Sequence, residues 1–173
     1  MSKKVRRLFE QFHPVNYHLE LRVDPDEMIF DGKVTIAGQK VGRPSQRITL
    51  HQKGLKIAEA KITKHDKSGD QIITISRINT QKTYDEVRLH SKQMIYSGNY
   101  TLELKFSGNV TRNMEGIYPS FFKHAGKDQK IISTQFESHH AREAFPCIDE
   151  PEAKATFDLT LVSEKGMTVL GNT

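Results

Sequence analysis

Apolar residues recur at every second position along much of the chain. Val15, Tyr17, Leu19, Leu21 and Val23 alternate with Asn16, His18, Glu20 and Arg22, which is the pattern of a strand with one face in a core and the other in water. Tyr100, Leu102, Leu104 and Phe106 alternate in the same way with Thr101, Glu103 and Lys105, and Phe157, Leu159 and Leu161 with Asp158 and Thr160. Shorter alternations at Val34 and Ile36, Ile48 and Leu50, Leu55 and Ile57, Ile73 and Ile75, and Val87 and Leu89 predict further strands. Turn-forming groups punctuate these segments: Asp24-Pro25-Asp26, Asp31-Gly32, Lys53-Gly54, Ser68-Gly69-Asp70, Ser97-Gly98-Asn99, Ser107-Gly108-Asn109 and Gly126-Lys127-Asp128. Each offers the fixed or positive φ that a reversal needs. Val41 to Ser45 reads as a loop between strands. The helical candidate is a turn or two around His139 to Ala144, which Pro146 and Pro151 keep short. Short strands joined by turns predict an all-β fold: an antiparallel, saddle-shaped β-sandwich with little helix.

At 173 residues with 36% hydrophobic content, the chain is long enough to bury one core. Lys and Arg exceed Asp and Glu by 26 to 21. The excess is not organised into a binding stripe, because acidic and basic residues alternate elsewhere and the basic run is confined to Lys3–Arg7. Residues 1–12 are therefore expected as a basic N-terminal tail and 13–173 as the domain, with neither nucleic acid nor membrane as partner. A single cysteine, Cys147, permits no internal disulfide. Together with the absence of a secretory apolar stretch in Met1 to Phe12, this makes the cytoplasm the expected compartment. Met167, Val169 and Leu170 open another apolar segment just before Gly171-Asn172-Thr173, so the domain is expected to be truncated at its C-terminus.

The densest run of unusual residues is Ser133 to Pro151. It contains Thr134-Gln135-Phe136-Glu137, then Ala141-Arg142, then Phe145-Pro146-Cys147-Ile148-Asp149-Glu150-Pro151, followed by Lys154-Ala155-Thr156-Phe157. These four pieces, in this order, resemble the signature of the aminopeptidase N family of zinc metallopeptidases. Gly116-Ile117-Tyr118-Pro119-Ser120 resembles the family's Gly-x-Tyr-x-Ser strand, and Pro14 to Leu19 its first strand. Ser138-His139-His140 departs from the pattern, since many relatives carry Pro, Thr or Asp there.

The resemblance implies a saddle-shaped N-terminal β-domain that caps a separate catalytic domain of the same parent chain, where one zinc ion and a His-Glu-x-x-His helix would reside. None of the eight histidines here is followed by Glu-x-x-His, so neither catalytic nor metal-ligating residues are expected in this chain and the isolated domain should be inactive. The resemblance further implies that Glu137 binds the α-amine of a peptide N-terminus, with Gln135 and Phe136 beside the first side-chain pocket. Strand alternation lets only one of those two face the same way as Glu137, and Gln135 fits. Arg142 with Asp149 and Glu150 reads as a salt-bridged turn, and Cys147 as a packed thiol with no base beside it. Glu137, His139, His140 and Cys147 match no zinc spacing. Composition and periodicity alone allow a second reading, a free-standing β-sandwich binding module.

Overall fold

The computed structural model describes residues 7–172. Lys3 to Arg6 of the basic run lie outside the described residues. From Leu8 onward the chain is in the core: Leu8 and Phe12 are both buried. The Glu150 carboxylate accepts hydrogen bonds from the amides of Leu8 (2.7 Å) and Phe9 (3.3 Å), so residues 8–12 of the expected tail are tied to the far end of the sequence.

The architecture is all-β. A six-stranded sheet runs in the order β11-β1-β2-β8-β4-β5, built from β1 (Phe12–Asp24), β2 (Ile29–Lys40), β4 (Lys56–Asp66), β5 (Gly69–Ile73), β8 (Gly98–Asn109) and β11 (Thr156–Val162). A three-stranded sheet, β3-β7-β6, contains β3 (Ser45–His51), β6 (Ile75–Gln81) and β7 (Glu86–Ile95). The third sheet is the hairpin of β9 (Gly116–His124) and β10 (Lys127–Gln135). Tyr17, Leu19, Leu21, Val34, Ile36, Leu102 and Leu104 from the large sheet meet Ile48, Leu50, Val87 and Leu89 from the three-stranded one in a single buried cluster. This is a sandwich whose inner faces are the alternating apolar positions of the sequence. Burying such side chains, at about 1.5–3 kcal/mol each, is its main source of stability.

Three sequence expectations are corrected. Asp31-Gly32 and Ser107-Gly108-Asn109 are not turns; they lie inside β2 and β8 and pair with one another, Asp31 opposite Ser107 and Gly32 opposite Phe106. A Cβ on Gly32 would stand 2.5 Å from the Glu20 carbonyl oxygen and 2.9 Å from Cζ of Phe106. The glycine there makes room for an aromatic ring and does not turn the chain. Ile73 and Ile75 belong to different strands, β5 and β6, in different sheets. Finally, β11 runs parallel to β1, Asn16 opposite Thr156 through Arg22 opposite Val162, whereas the other described pairings are antiparallel. Asn16 Nδ2 donates to Thr156 Oγ1 and to Asp158 Oδ2, both at 2.9 Å.

The sandwich is lopsided. Tyr17, Leu19 and Leu21 on β1 are buried, yet their neighbours Phe157, Leu159 and Leu161 on β11 are 54%, 51% and 37% exposed. Their apolar face continues the core and is only partly covered by the described residues.

Candidate functional site

The signature segment begins where the β9–β10 hairpin ends. Gln135, the last residue of β10, pairs with Gly116, the first of β9. Gly116 has φ +65°, and a Cβ there would approach Glu143 Cβ at 2.9 Å, so both the backbone angle and the space call for glycine. The hairpin thereby abuts the 3-10 turn Ala141–Glu143, the short helical element expected from sequence.

Alternation continues past the strand end. Phe136 turns inward, its ring edge-on to Phe145 with centroids 6.0 Å apart. Phe145 in turn meets Phe157 at 6.1 Å, and Phe157 stacks on Tyr17 at 4.8 Å. Gln135 and Glu137, either side of Phe136, are exposed. Among the described residues the Glu137 carboxylate has neither a hydrogen bond nor an ion pair. The Glu137–Ser138 peptide is cis. The amide of His140 donates to the Phe136 carbonyl at 2.9 Å and closes the turn.

Behind this rim the chain is fastened on three sides. Cys147 exchanges both backbone hydrogen bonds with His51 at 2.7 and 3.1 Å; its thiol is fully buried and burial pushes its pKa well up, so it serves packing and not nucleophilic attack. Arg142 donates from Nε to Asp149 Oδ2 (2.8 Å) and from Nη2 to the Asp149 carbonyl (3.0 Å), while its amide reaches the same carboxylate at 3.2 Å. Arg142 and Asp149 thus form the salt-bridged turn, whereas Glu150 accepts from the amides of Leu8 and Phe9 and has Oε1 3.9 Å from His51 Nε2. The amide of Ile148 donates to the Tyr17 hydroxyl at 3.0 Å.

His51 completes the anchor. Its Nδ1 accepts from the Asp149 amide at 3.0 Å, which requires a neutral ring. Burial, with the nearby Arg142 guanidinium, lowers its pKa to about 4, against a partial opposing effect of Asp149. An unfolded histidine titrates near 6.5, so the unfolded chain takes up this proton first as pH falls and stability declines from about pH 6.5 towards pH 4, by about 3 kcal/mol in all. His51→Asn, whose Oδ1 can replace Nδ1 as acceptor, should flatten that part of the stability profile in urea unfolding. A profile with the wild-type slope would show that another group carries it.

Glu115, His140 and Glu143 bring three potential ligand atoms within 4.8 Å of one another. They do not suit a catalytic cation. Lys53 Nζ already lies 2.8 Å from Glu143 Oε1, and His140 Nδ1 is 3.0 Å from that same oxygen. Burial alone would raise the Glu143 pKa, but the hydrogen bonds from Lys53 and His140 outweigh it and leave the carboxyl below its ordinary value. Lys53 is correspondingly raised, chiefly by its hydrogen bond to Glu143. The ammonium supplies the positive charge that a metal would bring, so this is an ion-pair network bracing the hairpin against the turn. Of the sequence candidates for a metal, only His140 belongs to it: Glu137 stands exposed and Cys147 is buried elsewhere. Lys53 and Glu115 carry no local sequence signal; only the spacing from His140 to Glu143 hints at a pairing.

The fold is an all-β domain whose signature segment lies along one edge. Residues 13–173 match the family model described as the peptidase M1 N-terminal domain, and the chain belongs to that family. It is 42% identical over 175 aligned residues to an aminopeptidase N of Lactococcus lactis subsp. lactis, covering 99% of this chain and 19% of the relative. It is 38% identical to the aminopeptidase N of Lactobacillus delbrueckii subsp. lactis, over 97% of this chain and 18% of that protein. Aminopeptidase A of Gloydius brevicauda is 29% identical, over 96% and 17%. The chain therefore spans about a fifth of the length of these relatives. No helix among the described residues is long and apolar enough to cross a membrane.

Proposed function

We propose that this chain is the substrate-facing cap of a zinc aminopeptidase that removes N-terminal residues from peptides, and that Glu137 binds the substrate's α-ammonium group. The supporting observation is an exposed carboxylate with no partner among the described residues, next to an inward-facing ring that fixes its backbone. A peptide α-amine has a pKa near 8 and is mostly cationic at neutral pH. An unpaired anion held at a rigid strand end can take that cation without first breaking an ion pair, which is how a site distinguishes a chain terminus from an internal residue. Gln135, on the same side of the backbone, would line the first side-chain pocket, with Phe136 supporting it from behind.

Hydrolysis would be carried out by the rest of the parent chain, in which the zinc ion and its ligands would lie. That partner lobe fits the partly covered apolar face of β11, because the ring series Phe136, Phe145, Phe157 joins that face to the backbone of Glu137. A lobe seated there would stand next to the carboxylate.

In the full-length enzyme, Glu137→Ala should raise KM for peptides with a free N-terminus by about 10- to 150-fold, the equivalent of one charge-assisted hydrogen bond of roughly 1.5–3 kcal/mol. Metal content should not change. Unaltered KM with a properly folded, metal-loaded variant would refute the assignment.

A further inference from the structure

The hairpin of β9 and β10 has two faces, and one is committed to the body of the domain. Ile117 and Pro119 are buried, Ile132 packs on the core, and Lys130 Nζ donates to the Pro25 carbonyl and, at 3.0 Å, to Asp26 Oδ1. Antiparallel register puts the alternate residues on the other face in cross-strand pairs: Gln135 with Gly116, Ser133 with Tyr118, Ile131 with Ser120, Gln129 with Phe122 and Lys127 with His124. Gln135, at one end of this series, is the residue placed beside Glu137 in the proposed amine site, so the free face begins where a peptide N-terminus would be held.

Apolar surface and charge are distributed unevenly along it. Phe122 and Ile131 are 46% and 50% exposed and are diagonal neighbours across the ladder, so they form one apolar patch. Formal charge sits at the ends, with Glu137 at one and Lys127 at the other. Lys127 is exposed and has no ion pair among the described residues. The acidic residue of the tip, Asp128, pairs with Lys123 on the opposite face, its carboxylate 4.0 Å from that ammonium. An anion, a polar stretch, an apolar patch and a cation therefore follow one another on a single ribbon.

We propose, resting on the amine site at Glu137, that this face holds the downstream residues of an extended peptide substrate. Strands rise about 3.4 Å per residue, so Lys127 lies about 27 Å along the ribbon from Gln135, and an extended peptide keeps pace with it residue for residue. Apolar side chains at about the fifth and seventh residues would meet Ile131 and Phe122, and a carboxylate at about the ninth would meet Lys127. The charge order of the face is that of a peptide reversed in sign, ammonium to Glu137 and carboxylate to Lys127. An extended peptide shares the right-handed twist of the ribbon and can follow it. Two strands make a surface of single-chain width, narrow for a folded lobe. The hairpin is fastened near one end by the network around Glu143 and nearer the other by Lys130, so binding orders the peptide and not the protein.

Steady-state kinetics of the full-length enzyme on peptides with a common first residue test this. Each kcat/KM is expressed relative to the aminoacyl anilide of that residue, and the ratio should rise with length to about nine residues. A nonapeptide with Leu at positions five and seven should exceed its counterpart with Ser there by about 10-fold, as burial of apolar side chains does. Amidating its C-terminus should lower the ratio by about 3-fold, the size of an exposed ion pair. A decapeptide amide with Asp at position nine that regains this loss would identify a side-chain carboxylate as sufficient, and one that does not would identify the chain end. Phe122→Ser with Ile131→Ser should erase the preference for Leu, and Lys127→Gln the preference for the carboxylate. The proposal is overturned if the ratio stops rising at tripeptides, or if the variants keep the wild-type preferences, which would place those contacts outside this chain. Failure of the amine assignment reads differently: Glu137→Ala would then leave KM for the anilide unaltered, in a substrate too short to reach Ile131, Phe122 or Lys127.

Discussion

Asp149→Ala should lower the stability of the domain by about 3–5 kcal/mol, the usual cost of removing one partner from a buried ion pair. Arg142 and Asp149 have side chains only 13% and 9% exposed. The aspartate carboxylate holds the guanidinium and the Arg142 amide together, and its own backbone carbonyl takes a third bond. Alanine would leave the guanidinium desolvated with one remaining acceptor. The measurement is urea unfolding, read as a lower midpoint with an unchanged m-value. A double variant, Arg142→Met with Asp149→Leu, should recover much of the loss, because apolar residues of similar volume dispense with the desolvation of both charges. If Asp149→Ala unfolds at the wild-type midpoint, the pair is an ornament of the turn and not its anchor.

Phe145→Ala should cost about 3–5 kcal/mol as well, through lost burial and the cavity left behind. Its particular interest is what it does to function. Phe145 stands between Phe136 and Phe157 and also lies edge-on to Tyr17 at 6.0 Å. Removing it frees Phe136, and with it the backbone from which Glu137 projects. In the full-length enzyme, at a temperature where the variant is still folded, KM should rise in the same direction as for Glu137→Ala, while Phe145→Leu should give a smaller change in both stability and KM. A variant that loses stability but keeps KM would separate the core role from the positioning role.

The strands with one buried face were legible because a period of two records which side of the chain meets the core. That is why Tyr17 to Val23 and Tyr100 to Phe106 fall within β1 and β8, whereas Val15, beside the irregularity between Pro14 and Asn16, is exposed and breaks the expected period. Asp31-Gly32 and Ser107-Gly108 misled because glycine has two uses, positive φ and close approach, and only the position of Phe106 across the ladder tells them apart. The hairpin strands β9 and β10 have no clean alternation: Phe121, Phe122 and Ile131 are all exposed. They were visible only through the signature residues. The direction of β11 was hidden for a different reason, since pairing across 140 residues leaves no mark in any local window. At the rim, Gln135, Phe136 and Glu137 could be named from the order of the motif, and alternation gave the inward turn of Phe136. The bracing by Lys53, Glu115 and His51 could not be read, as each comes from a different stretch of chain.

The pairing of first strand with last also orders events during synthesis. Phe12 to Asp24 emerge long before Thr156 to Val162, so one border of β1 stands bare while most of the domain is still being made. That border is poorly suited to recruiting a stray strand. Pro14 has no N–H to donate, and His18, Glu20 and Arg22 carry polar or ionic groups along the strand. A newly made chain can therefore wait for its own β11 with little risk of pairing with a neighbour on the same messenger.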